Sequence, residues 1–179
     1  MSLSPLTPVK ASEHPVYVVA GGNHVTLLLR REVTAGALDV VDVLPIQLDN
    51  LARKLPLSAA VDLYHGDSVA LPFACASYER ALLFFLLHEQ PEEVRRATIA
   101  EALRVVKPGG CVVIVDYHRP GACNPLYWPM AGVLRTLEPF ALDLWRHEIS
   151  EWFPRDARIT GVRKKTMFGG LFQLLALTL

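Results

Sequence analysis

The residues able to do chemistry fall at the ends of apolar runs. Gly21-Gly22-Asn23 follows Val16–Ala20, and Asp42 lies near the end of Leu38–Val43. Asp67 and Ser68 follow Val61–Tyr64, His88 and Glu89 follow Ala81–Leu87, and Asp116, Tyr117, His118 and Arg119 follow Cys111–Val115. Asp42 comes about 20 residues after the glycine turn, the place of an acid that accepts ribose hydroxyls. Paired glycines let backbone approach a ligand closely, although this turn is not GxGxxG and supports dinucleotide binding only weakly. His88 and His118 can each serve as a base or a metal ligand. Asp143 and His147 share a face if their segment is helical, as a metal pair or as a surface pair. Each residue also has a plain reading as a turn former, a solvated acid or a structural histidine. No HExxH, CxxC or GxSxG occurs, so nucleophilic hydrolysis and cysteine-rich metal binding find no support.

The elements that must position these residues follow from the apolar pattern. Val16–Ala20, Leu38–Val43, Val61–Tyr64, Ala81–Leu87 and Cys111–Val115 read as strands. They are continuously apolar rather than alternating, which predicts burial on both faces in a parallel sheet. Asn23 can cap a helix running from His24 to Gly36. Pro45 opens a helix whose Leu48, Leu51, Ala52 and Leu55 share one face, and Pro56 stops it. Glu92–Val106 is the clearest helix: acids lead it, Arg104 and Lys107 close it, and Pro108-Gly109-Gly110 ends it. Ile159–Phe168 and Leu171–Leu179 flank Gly169-Gly170 closely enough that they must pair antiparallel. Residues 1–15 hold three prolines and read as a loose arm before one domain spanning 16–179. The segment 124–153 carries all three tryptophans; it is either an ordinary helix packed on the sheet or a lid over an apolar substrate or membrane surface.

The chain has 179 residues, 51% of them hydrophobic, enough for one buried core. Eighteen basic side chains balance eighteen acidic ones, which argues against a nucleic-acid partner held through phosphates. The longest apolar run, Ala81–Leu87, is far short of the roughly 20 residues of a bilayer span. No secretory leader is visible, and three cysteines make no disulfide framework. A cytoplasmic protein with reduced thiols is expected.

The segments Asp39–Asp42, Gly66-Asp67-Ser68 with Leu71-Pro72-Phe73, Leu87-His88-Glu89, Glu101–Gly110 and Val113–Tyr117 together resemble the class I S-adenosylmethionine-dependent methyltransferase family over about nine-tenths of the chain. Within it, Val41–Asn50, Phe84–Pro91, Asp116–Pro120 and Leu137–His147 look most like the rhodoquinone biosynthesis protein, which converts ubiquinone to rhodoquinone. The ubiquinone and menaquinone C-methyltransferases are the other similar group. The resemblance implies a Rossmann-like α/β fold, a mostly parallel seven-stranded sheet with an antiparallel C-terminal hairpin and helices on both faces. It implies S-adenosyl-L-methionine as cofactor, with Mn2+ assisting if an amino group is transferred, and a small quinone-like lipophilic substrate. The aromatic segment adds peripheral membrane contact as an expectation, and the short stretch before strand one leaves a pocket that is open or covered by a partner chain, as in a homodimer. Carried onto this chain, Val19, Ala20, Gly21, Gly22 and Asn23 would face the methionine part of the cofactor, Asp42 the ribose, and Asp67 with Ser68 the adenine. Phe84 would line the pocket edge, and His88, Tyr117 and His118 would face the substrate.

The chain departs from the family pattern in two places. Valine or alanine stands where strand one usually ends in an acid, and only about 15 residues precede that strand where the family usually has capping helices. The altered motif fits the rhodoquinone-type protein. It fits equally a methyltransferase fold that no longer catalyses and serves as a binding subunit. A nicotinamide-dependent reductase is least supported, for want of the glycine fingerprint.

Overall fold

β-Branched and aliphatic runs build the strands β1 (Val16–Ala20), β2 (Ala37–Asp42), β3 (Val61–His65), β4 (Tyr78–Phe84), β5 (Val106–Tyr117), β6 (Gly161–Met167) and β7 (Phe172–Thr178). The computed structural model describes residues 16–20, 37–55, 60–121, 123–138 and 140–179, with backbone only for 16–20 and 37. The predicted helix over 24–36 lies outside them. The strands pair in the order β3-β2-β1-β4-β5-β7-β6. β1 to β5 run parallel, while β7 is antiparallel to both β5 and β6.

Helix α1 (Pro45–Lys54) starts at its proline, and its buried Leu48 and Leu51 pack on Leu38 and Val40 of β2. Helix α2 (Glu92–Val105) buries Ile99, Ala102 and Val105 against Ala81, Leu83, Val112 and Ile114. Val41 of β2 joins the second set and Leu82 of β4 packs on the first, so successive residues of one strand face opposite sides. The sheet is therefore covered on both faces, as continuous apolar strands require.

Several element boundaries differ from the sequence reading. β4 begins at Tyr78 and ends at Phe84 rather than running to Leu87, because Phe85 takes a left-handed backbone (φ 50°) and Leu87–Glu89 winds into a 3-10 turn. α2 ends at Val105, and β5 starts at once, with a register shift opposite Tyr78 and Arg80. Pro108-Gly109-Gly110 belongs to that shift rather than to a helix cap. A Cβ on Gly110 would lie 2.6 Å from the Glu79 carbonyl oxygen and 2.5 Å from Val106 Cγ1, so only glycine fits there. The aromatic segment is not one helix: it divides into α3 (Tyr127–Leu137), α4 (Asp143–Arg146) and a 3-10 turn at Ile149–Trp152. Glu138, which precedes Pro139, leaves the helical region as pre-proline sterics favour.

Candidate functional site

β2 and β3 lie on one side of β1, and β4 and β5 lie on the other. The chain thus reverses its progress across the sheet between β1 and β4. Ligands of open α/β sheets bind at such a switch, outside the carboxyl ends of the strands. Ala20 and Phe84 end the two strands there, with Ala20 in register with Leu83.

One step away, Asp116 at the end of β5 organises the turn after β4. Its carboxylate is fully buried. Oδ2 accepts the backbone N–H of Leu87 at 2.8 Å and of His88 at 3.3 Å; Oδ1 accepts the Tyr117 N–H at 2.8 Å and meets His88 Nδ1 at 2.9 Å. An ionised carboxylate only accepts, so His88 carries its proton on Nδ1 and keeps a lone pair on Nε2. Nε2 lies 3.8 Å from the Glu89 carboxylate. Burial pushes the His88 imidazolium pKa down, but the Asp116 hydrogen bond and charge, with Glu89 and Glu138, outweigh it and leave the pKa raised. A His–carboxylate pair of this kind orients a base and stabilises it once protonated.

Aromatic rings wall this pair. Tyr117 sits edge-on to His88 at 4.6 Å between centroids and stacks on Phe172 at 5.7 Å. Phe85 meets Phe84, His88, Tyr117 and Phe172 edge-on. Below the turn, Arg95 of α2 is fully buried and donates through Nε to the Leu87 carbonyl at 2.7 Å and through Nη2 to the Phe140 carbonyl at 2.5 Å. Its guanidinium also lies over the Trp152 ring at 4.7 Å.

The cofactor-side residues take the following places. Asp42 ends β2, and its Oδ1 accepts the Leu44 N–H at 2.8 Å, which fixes the carboxylate at the strand end. Asp67 Oδ1 accepts the Val69 N–H in a turn of the same kind. The Ser68 hydroxyl bonds Thr98 Oγ1 at 2.9 Å and accepts from Gln90 Nε2 at 3.1 Å. The Gln90 Oε1 atom is buried with no partner among the described residues. An acidic group at the β2 edge and an unpaired buried acceptor beside Ser68 fit a cofactor carrying ribose hydroxyls and an amine. Val19 and Ala20 lie on β1 at the switch; Gly21, Gly22 and Asn23 lie outside the described residues.

The structure joins His88 to Tyr117 but holds His118 elsewhere. His118 Nδ1 meets the Gly170 carbonyl at 2.9 Å, and its N–H donates to Leu171. Nor do Asp143 and His147 form a ligand pair. The Asp143 carboxylate faces Arg95 and Arg146, and His147 Nδ1 meets Glu151 at 3.0 Å. Among the described residues no group of three His, Cys, Asp or Glu side chains could hold a metal. The side chains read as metal donors, His118, Asp143 and His147, are engaged in other contacts and do not fit manganese. Phe85, Phe172 and Arg95 complete the site without having been singled out, and Asp116, named only as a strand-end residue, turns out to organise it. Only Asp116 carried a signal, as an acid closing an apolar strand.

Residues 17–110 match the family described as methyltransferase domain. The chain is 29% identical over 158 residues to an uncharacterized methyltransferase of Synechocystis sp., covering 87% of this chain and 70% of that one. It is 30% identical over 126 residues to the demethylmenaquinone methyltransferase of Staphylococcus saprophyticus, covering 67% of this chain and 53% of that one. The demethylmenaquinone methyltransferase of Desulfitobacterium hafniense is spanned over only 27% of its length. Among solved structures, an O-methyltransferase family protein from Burkholderia thailandensis superposes with a TM-score of 0.70 at 18% identity, over 93% of this chain and 51% of that one. That likeness is one of fold, the Rossmann-like α/β arrangement.

Proposed function

The chain belongs to the class I S-adenosylmethionine-dependent methyltransferase family, and from that premise we propose that it methylates a lipophilic quinone-like ring in its reduced, hydroxyl-bearing form. The observation that carries this reading is the buried His88–Asp116 pair set among Phe85, Tyr117 and Phe172 beside the β1/β4 switch. The quinone methyltransferases among the relatives support the same substrate class. S-adenosylmethionine, when bound, supplies an electrophilic methyl group. Val19 and Ala20 at the end of β1, with Gly21, Gly22, Asn23, Asp42, Asp67, Ser68 and Phe84, would hold it. The aromatic wall holds the acceptor ring flat and keeps water away. His88 Nε2 would take the ring hydroxyl proton; the phenolate carbon would then attack the methyl carbon as its bond to sulfur breaks, releasing S-adenosylhomocysteine, and loss of the ring C–H proton would restore aromaticity. Asp116 stabilises the imidazolium that forms. Such an acceptor resides in bilayers, so peripheral contact with a membrane surface accompanies the reading. No described helix is long and apolar enough to cross one.

The deciding assay supplies methyl-tritiated S-adenosylmethionine and a short-chain demethylmenaquinol. Label recovered in the ring product supports the assignment. Saturable cofactor binding with no transfer to any quinol would make the chain a binding subunit instead. The finer assignment, ubiquinone to rhodoquinone, rests on the segment resemblance alone; an amino-substituted product from ubiquinol would establish it.

Two expected outcomes belong here. Asp42→Ala weakens S-adenosylmethionine binding about 10–100-fold by isothermal titration, since a charge-assisted hydrogen bond is worth about 1.5–3 kcal/mol. The base must be neutral, and the His88 pKa is raised, so turnover climbs with pH along a limb centred above about 6.5. Protonated His88 also stabilises the folded state. That contribution is complete below the unfolded value and is lost as pH rises through the folded one. A flat turnover profile across pH 5–9 would remove His88 from the base role.

A further inference from the structure

A cavity of about 250 Å3 opens between α3, α4 and the chain leaving β5, and nothing in the reaction described above uses it. Three guanidinium groups, Arg119, Arg135 and Arg146, share its wall with Tyr127, Trp128 and Trp145, and no carboxylate lines it. Of the three, Arg146 alone forms an ion pair among the described residues, with Asp143 at 3.8 Å. Trp145 packs against Tyr127 at 5.3 Å, and its indole Nε1–H is buried with no acceptor among the described residues. Trp128 stands at the rim, 79% exposed, with its ring edge-on to Tyr127 at 5.2 Å.

We propose that this cavity binds an aromatic organic anion, with the ring among Tyr127, Trp128 and Trp145 and the carboxylate, sulfonate or phosphate on Arg119, Arg135 and Arg146. Three like charges around one concavity repel one another, and an anion relieves that repulsion. Arginine presents a planar fork that takes an oxyanion bidentately and stacks on rings, so the same side chains serve both halves of the ligand. Ring-lined concavities with a few convergent polar groups are the ordinary form of a small-molecule site. A neutral ring would leave the guanidinium groups unanswered. A bare inorganic ion would leave the aromatic wall unused.

The test titrates the full chain with naphthalene-1-carboxylate and, separately, with neutral 1-naphthalenemethanol, by calorimetry at low and high salt. The anion is expected to bind saturably at one per chain, at least tenfold tighter than the alcohol, and more weakly in salt. Arg119→Gln and Arg135→Gln, both exposed positions, are each expected to lose at least tenfold in anion affinity while S-adenosylmethionine binding stays unchanged. Equal affinity for alcohol and acid, unchanged binding in both glutamine variants, or no saturation by about millimolar ligand each overturns the proposal. A parallel thermal melt confirms that the variants fold.

Discussion

Asp116→Asn lowers methyl-transfer turnover about 10²–10⁴-fold, the range of a lost general base, in a protein that still folds and still binds S-adenosylmethionine. The buried carboxylate answers four N–H donors, two on the turn after β4, one on β5 and one on the His88 ring. An amide keeps one acceptor oxygen but turns an NH2 toward the remaining donors. Either the Leu87–His88 turn or the imidazole then loses its partner. If the ring loses it, the Nδ1 proton is no longer fixed, and Nε2 ceases to be the reliable lone pair. Burial of His88 also acts with less opposition, so the limb of the pH profile moves toward acid while its plateau falls. Single-turnover kinetics over pH, with cofactor affinity measured in parallel, separates this from simple unfolding. A plateau within about threefold of the parent chain would show that Asp116 holds the turn and nothing more.

The sequence carried the scaffold further than the site. Strand identities and helices α1 and α2 follow from apolar runs and periodicity, because burial on two faces leaves no polar alternation to misread. Boundaries failed where a side chain or backbone strain decided them. The left-handed Phe85 cuts β4 short, and the steric demand at Gly110 converts an apparent helix stop into a strand irregularity. His88 and Tyr117 were legible as strand-end residues. Their link through Asp116 was not, since it joins positions 28 residues apart and depends on β4 and β5 being neighbours in register. His118 has the same sequence signal as His88, but the hairpin carbonyl of Gly170 takes its ring nitrogen. Phe172 enters from the antiparallel β7, which no local pattern places against Tyr117. The three tryptophans look alike in the sequence, yet Trp145 and Trp152 are buried while Trp128 stands at the rim of the arginine cavity.

Arg95→Met is expected to destabilise the fold by about 3–5 kcal/mol, the cost of breaking a buried charged network from one side. For a chain of this length that is a fall in melting temperature of about 6–20 °C. The side chain is fully buried although arginine is rarely so, and burial lowers its pKa from the ordinary value. Its position is explained by what it spans. Nε reaches the Leu87 carbonyl, Nη2 reaches the Phe140 carbonyl, and Nη1 lies 3.4 Å from the Asp143 carboxylate. One residue of α2 thereby ties the turn that carries His88 to the segment that carries the aromatic cavity. Methionine fills similar volume but removes the charged donor from both carbonyls, leaving Leu87 to the Gln90 N–H and Phe140 to the Asp143 N–H, and leaves Asp143 without that cation. Lysine restores a charge but offers one compact ammonium in place of a fork, so Arg95→Lys recovers only part of the loss. Leu87 and His88 are adjacent, so loosening one carbonyl also relaxes the imidazole. Turnover measured well below the melting temperature is expected to fall about tenfold in Arg95→Lys. Thermal denaturation and turnover of both variants check this: a melting temperature unchanged within 2 °C would mean that the turn and the α4 segment hold together without the guanidinium.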